Sequence, residues 1–165
     1  MPLSRIVSGG QTGVDRGALD AALEAGFPCG GWCPRGRRAE DGAIAARYPL
    51  TETAGGDYSE RTLRNVLEAD GTAVLCRGEP EGGTRQTLDF CTGNGKPCEL
   101  VNAAEVAPRD AAAMIAAFIS AREVSVLNIA GPRESKWPGA RDYARAVVTH
   151  LLRDAHQRLP QRLDP

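Results

Sequence analysis

The chain of 165 residues has almost no net charge, because 20 basic groups face 21 acidic ones. A duplex-binding face needs a clustered positive excess, so this balance argues against a nucleic-acid partner. Lysine is nearly missing: only Lys96 and Lys136 stand beside 18 arginines. Arginine forks suit phosphate and carboxylate, although 25 alanines in the same chain point to a compositional bias behind both. Long apolar runs are missing too. The longest, Ala111–Ile119, falls far short of the ~20 residues that a membrane-spanning helix needs, so no membrane is expected. Residues 1–10 carry neither the charged start nor the apolar stretch of a secretion signal, which reads as a cytoplasmic chain. Five cysteines are an odd number, and no disulfide framework is expected. Cys29 and Cys33 have no partner at zinc-ligand spacing, so no metal site is expected. His150 and His156 both fall near the end of the last helical pattern, away from the glycine-rich turns described next, which disfavours a histidine general base. No GxSxG elbow or HExxH pair occurs.

What is present is alternation. Short apolar or β-branched segments change places with amphipathic helical patterns from end to end, the pattern of a parallel sheet covered by helices. Arg5–Ser8 reads as a strand, and a helix follows from Val14 to about Ala25, with Arg16, Asp20 and Glu24 on the side opposite its apolar stripe. Phe27–Trp32 is weakly strand-like, Pro34–Tyr48 reads as a long, mobile loop, and Leu50–Thr53 as a short strand. Asp57 and Glu60 form a capping box for a helix with Leu63, Val66 and Leu67 as its stripe, ending near Ala69. Thr72–Arg77 is the clearest buried strand, and a helix runs from the following turn to about Gly93. Pro97–Asn102 is a strand, residues 107–122 a helix, Val124–Ala130 the last strand, and Tyr143, Val147, Val148, Leu151 and Leu152 the stripe of a final helix. The expected fold is therefore one α/β domain over residues 1–154, a mostly parallel sheet with helices on both faces, followed by a polar tail over 155–165.

Three strand-to-helix turns share one design. GGQTG follows the first strand, EGGT the buried strand, and GPRES the last strand. In a parallel sheet such turns lie on the carboxyl edge and meet in one crevice when their strands are neighbours. Glycine lets backbone amides approach an anion, and the following helix offers free N–H groups and a positive dipole end. The turns therefore read as phosphate cradles built from Gly9, Gly10, Gln11, Thr12 and Gly13, from Gly82, Gly83 and Thr84, and from Gly131, Arg133 and Ser135. Neither the GxGxxG dinucleotide spacing nor the GK[ST] of a P-loop is there. Asp15 is open to two readings, a cap held by the helix dipole or a group of the site. Arg61 and Asn65 share a helical face at i, i+4 and are expected to meet solvent unless the crevice lies above them, and Trp32 is either core or a stacking platform.

Taken together, SGGQTGVDRGALDAAL, GGWCPRGRRAEDG with YPLTET, RTLRNV, DGTAVL, EGGTRQT and VLNIAGPRESKWPG resemble the putative molybdenum carrier family over about residues 5–152. That family is similar to the wider Rossmann-like group that contains the lysine-decarboxylase-like, cytokinin-activating phosphoribohydrolases. The resemblance implies a Rossmann-like three-layer domain and a homo-oligomer, a dimer or tetramer. It also implies molybdenum cofactor (molybdopterin) as bound cargo, stored, protected or delivered to a molybdenum enzyme, with the metal held by the cargo's own dithiolene sulfurs. By motif, the phosphate falls on the three turns just named. The hydrolase relatives carry PGGxGTxxE, and where their glutamate would fall this chain has Thr87. Two alternatives stay open: a phosphoribohydrolase-like enzyme acting on a nucleotide, and a nucleotide-sensing binding module.

Overall fold

A computed structural model describes residues 2–157 of the chain. The alternation seen in the sequence gives β1 (Arg5–Val7), α1 (Val14–Glu24), β2 (Cys29–Gly30), β3 (Trp32–Cys33), β4 (Arg38–Ala39), β5 (Gly42–Ala43), β6 (Thr51–Glu52), α2 (Tyr58–Glu68), β7 (Gly71–Cys76), α3 (Gly82–Gly93), β8 (Cys98–Asn102), α4 (Pro108–Arg122), β9 (Val126–Ala130) and α5 (Ala140–Gln157). Five strands build one parallel sheet in the order β2-β1-β9-β7-β8. Ile6 lies opposite both Cys29 and Leu127, and Thr72 opposite both Asn128 and Cys98. Right-handed crossovers put α1, α4 and α5 on one face of this order and α2 and α3 on the other. Packing agrees: α1 and α4 flank α5, while α2 lies against α3. This is the Rossmann-like three-layer α/β arrangement. No helix among the described residues is long and apolar enough to cross a membrane.

Every residue of β7 is buried, as a central strand covered on both faces requires. Leu75, Leu127 and Ile129 are fully buried and belong to the main core with Ile115 of α4 and Val147 of α5. Each such side chain contributes about 1.5–3 kcal/mol on leaving water. α2 begins as its capping residues suggest, with the Asp57 carboxylate accepting the Ser59 N–H at 2.9 Å. Glu60, however, reaches back to the Gly55 N–H (3.1 Å) rather than to the cap residue itself. Leu67, placed in the buried stripe by its spacing, is 44% exposed, because α2 turns Asn65 and Val66 inward instead.

The stretch read as a long loop is a built structure. The chain leaves the sheet at Gly31, whose φ of 129° and close approach to the Ser8 carbonyl admit no side chain. β3 then pairs with β6, and β4 with β5 as a small antiparallel hairpin. Ile44 and Tyr48 from this segment bury themselves against Leu19 of α1 and Cys33, forming a second core. The Arg37 guanidinium donates to the carbonyls of Ile44, Ala45, Tyr48 and Leu50, replacing the ladder bonds the segment lacks. As a result the polar side of α1 is covered rather than solvated. Arg16 meets Asp41 at 2.6 Å and the Gly10 carbonyl. Asp20 accepts from the Tyr48 hydroxyl at 2.6 Å and from Arg141 at 2.7 Å. Only Glu24 stays exposed on that side, paired with Arg145 at 2.6 Å. α5 continues to Gln157, three residues past the expected end of the domain at 154; residues 158–165 lie outside the described residues.

Candidate functional site

β1, β9 and β7 are neighbours in the sheet, so the three glycine turns leave it side by side. The chain runs from β1 and β9 into helices of one layer and from β7 into α3 of the other. This makes the carboxyl edge between β9 and β7 a topological switch point, the place where open α/β sheets hold ligands. A cavity of about 590 Å³ opens there. Gly9 and Gln11 come to it from the first turn, Gly82, Gly83 and Thr84 from the second, and Gly131 and Arg133 from the third. Asp15 joins from α1, Tyr58, Arg61 and Asn65 from α2, and Cys76 and Asn128 from the ends of β7 and β9.

The turns differ in what they leave free. In the first, the Gln11 N–H donates to Asp15 (3.2 Å), the Thr12 N–H to the Gln11 side-chain oxygen (3.0 Å), and the Val14 N–H to the Pro132 carbonyl (3.2 Å). A Cβ on Gly10 would lie 2.4 Å from Leu50, and one on Gly13 2.5 Å from the Pro132 oxygen. In the third turn, a Cβ on Gly131 would lie 2.2 Å from the Leu75 carbonyl. Glu134 N–H donates to the Thr12 hydroxyl (3.2 Å), and Ser135 donates to Glu40 through both its N–H (3.2 Å) and its hydroxyl (2.5 Å). Gly10, Thr12, Gly13 and Ser135 therefore do not line the cavity. They stitch the first turn to the third and both to the hairpin.

The second turn is open. A Cβ built on Gly82 or on Gly83 meets nothing within 4 Å. Glu81 supplies no side-chain cap to α3, and the Gly82 and Gly83 N–H groups fall in the first turn, where no intrahelical acceptor exists. Thr84 is 6% exposed and Gln11 7%. Among the described residues, neither the Thr84 hydroxyl nor Gln11 Nε2 has a protein partner, and both residues line the cavity.

Beside this cradle sits a buried ion pair that the sequence left in solvent. Arg61 Nη1 donates to Asp15 Oδ2 at 2.9 Å, and the guanidinium occupies the very space a Cβ on Gly9 would need, 1.6 Å away. Arg61 Nε is buried without an acceptor. Burial pushes the Asp15 carboxyl above the usual aspartate range, and Arg61 pulls it back only in part. Asn65 is likewise buried, spending its side chain on the Trp32 backbone, donating at 3.0 Å and accepting at 2.8 Å. The i, i+4 spacing of Arg61 and Asn65 was the available signal; which face of α2 meets the sheet was not readable from it. Tyr58 sits with the Arg61 and Arg38 guanidinium groups 5.4 and 5.7 Å from its ring. Burial, with Glu79 nearby, keeps the Cys76 thiol protonated and donating to the Gly78 carbonyl. Trp32 lies away from the cavity under the Arg64 guanidinium, 4.6 Å from its ring. Among the described residues, no cluster of three or more His, Cys, Asp or Glu side chains is arranged to hold a metal ion.

Fold and cavity together define a Rossmann-like α/β domain with a cavity on the carboxyl edge of the sheet. The chain belongs to the circularly permutated YpsA SLOG family, whose model matches residues 6–152. It is similar to a crystal structure named "Putative molybdenum carrier protein" from Syntrophus aciditrophicus SB, at 40% identity and a TM-score of 0.88, over 91% of this chain and 95% of that one. No match was found among curated proteins.

Proposed function

We propose that the chain binds a phosphorylated heterocycle with its phosphate on the N-terminus of α3. The cargo we assign is molybdenum cofactor, held for storage, protection or delivery to a molybdenum enzyme. The observation that carries this reading is the open space around Gly82 and Gly83, next to unpartnered amide and hydroxyl donors in a cavity of ligand size. Phosphate is the group that such a helix terminus accepts best. The name of the similar Syntrophus protein supports the cargo. Tyr58 brings an aromatic side chain to the cavity wall beside the heterocycle.

A carrier is favoured over a phosphoribohydrolase by Thr87. It stands where the resembling hydrolases have glutamate, and its hydroxyl is spent on the Gly83 carbonyl at 3.0 Å. The related expectations of a homo-oligomer and of a cytoplasmic location belong to the same reading, and light scattering and cell fractionation test them. The decisive experiment is mass spectrometry of small molecules released from gently purified native protein, with parallel metal analysis. A phosphorylated pterin with stoichiometric molybdenum is expected. A nucleotide in its place, or ribose 5-phosphate released from a nucleoside monophosphate panel, would replace the carrier with the sensor or the hydrolase.

A further inference from the structure

The β4–β5 hairpin reaches the first and third glycine turns through one carboxylate. Glu40 accepts hydrogen bonds from the Thr12 hydroxyl, from the Ser135 N–H (3.2 Å) and from the Ser135 hydroxyl (2.5 Å), and lies 4.0 Å from the Arg133 guanidinium. Two hydroxyls, one amide and a guanidinium converging on a single anion make the donor set that recognises a tetrahedral oxyanion. Desolvation works against the charge, yet these donors hold the Glu40 carboxyl below the usual carboxylate range. Arg133 also lines the main cavity, so the donor nest lies at its edge.

Fastening the hairpin does not require this carboxylate. Arg37 donates to four carbonyls of the same segment, Arg16 holds Asp41, and the Glu40 backbone N–H donates to Gln11 Oε1 at 2.9 Å. We propose that Glu40 is an internal stand-in for a ligand anion: the nest of Thr12, Ser135 and Arg133 is a second binding site, for a tetrahedral oxyanion such as a phosphoryl group, kept closed by Glu40 until a ligand displaces it. The ligands it selects carry two separated anionic groups, one for the α3 cradle and one for the nest. The two places share only Arg133 and fail separately.

Inorganic phosphate titrated calorimetrically into the full chain tests this. Glu40→Ala is expected to bind phosphate about tenfold more tightly, or at one additional site, once the competing charge-assisted bonds are gone. Adding Ser135→Ala should abolish the gain, and adding Gly83→Val should leave it intact. Circular dichroism checks the fold. If truncation unfolds the hairpin, Glu40→Gln keeps its shape without its charge, and a smaller gain with the same Ser135 dependence is expected. Wild-type stoichiometry and affinity in a folded Glu40 variant, a gain that survives Ser135→Ala, or one that vanishes with Gly83→Val would overturn the proposal. If Gly83→Val alone leaves phosphate binding untouched while the Glu40 gain persists, the α3 cradle fails and the nest stands.

Discussion

In Gly83→Val the new Cβ meets no protein atom within 4 Å, and the backbone at 83 lies outside the left-handed region that favours glycine. Valine is also the better helix former by a few tenths of a kcal/mol. The thermal midpoint of the variant is therefore expected to hold or rise slightly. Its ligand meets a different situation, because the isopropyl group fills the space through which an anion reaches the Gly82 and Gly83 amides. Two charge-assisted hydrogen bonds at about 1.5–3 kcal/mol each are lost, which raises Kd by at least about a hundredfold. Isothermal titration with inorganic phosphate and with a phosphorylated pterin reads the affinity, and differential scanning calorimetry reads the fold. Unchanged Kd in a folded variant would refute the cradle. A midpoint lowered by several degrees would show that the turn is structural after all.

Gly131→Ala should behave in the opposite way. Its Cβ would stand 2.2 Å from the Leu75 carbonyl, an overpacking worth about 1–3 kcal/mol in denaturant unfolding; full stability would contradict the packing described. Tyr48→Phe removes the hydroxyl that donates to the buried Asp20 and should cost about 1–2 kcal/mol, read in the same assay, with no loss as the contrary result. Because burial raises the Asp15 carboxyl, the folded chain holds that proton more firmly than the unfolded one. The associated stability is full below the usual aspartate value and is lost as pH rises through the raised one. Asp15→Asn abolishes this titration, so the variant's urea midpoint minus that of the wild type should increase with pH across that window. A difference that does not change with pH would remove Asp15 from the account.

The long elements were legible because period and punctuation agreed. The apolar spacing of α1, the Asp57 cap and the buried run of β7 each fixed an element to within a residue or two, and the stripe of α5 placed that helix without its bounds. Convergence of the glycine turns also followed from a parallel sheet whose relevant strands are neighbours. What escaped was whatever depends on a distant segment. Arg16 and Asp20 look like a solvated helix face until the 34–50 segment, short of periodicity and rich in charge, folds over them with Ile44 and Tyr48. Arg61 looked free because its partner Asp15 lies 46 residues away. Three similar glycine motifs suggested three cradles, yet in two of them Gln11, Val14 and Ser135 donate to Asp15, Pro132 and Glu40. A motif shows that amides can gather; only tertiary contacts show which of them remain available.

Amide NMR of uniformly 15N-labelled protein, titrated with a phosphorylated pterin, bears most directly on the central claim. The Gly82 and Gly83 resonances should move together, saturably and downfield, as their N–H groups engage the phosphate. Saturable binding that leaves those two amides unmoved, with the shifts gathered elsewhere on the molecule, would contradict it.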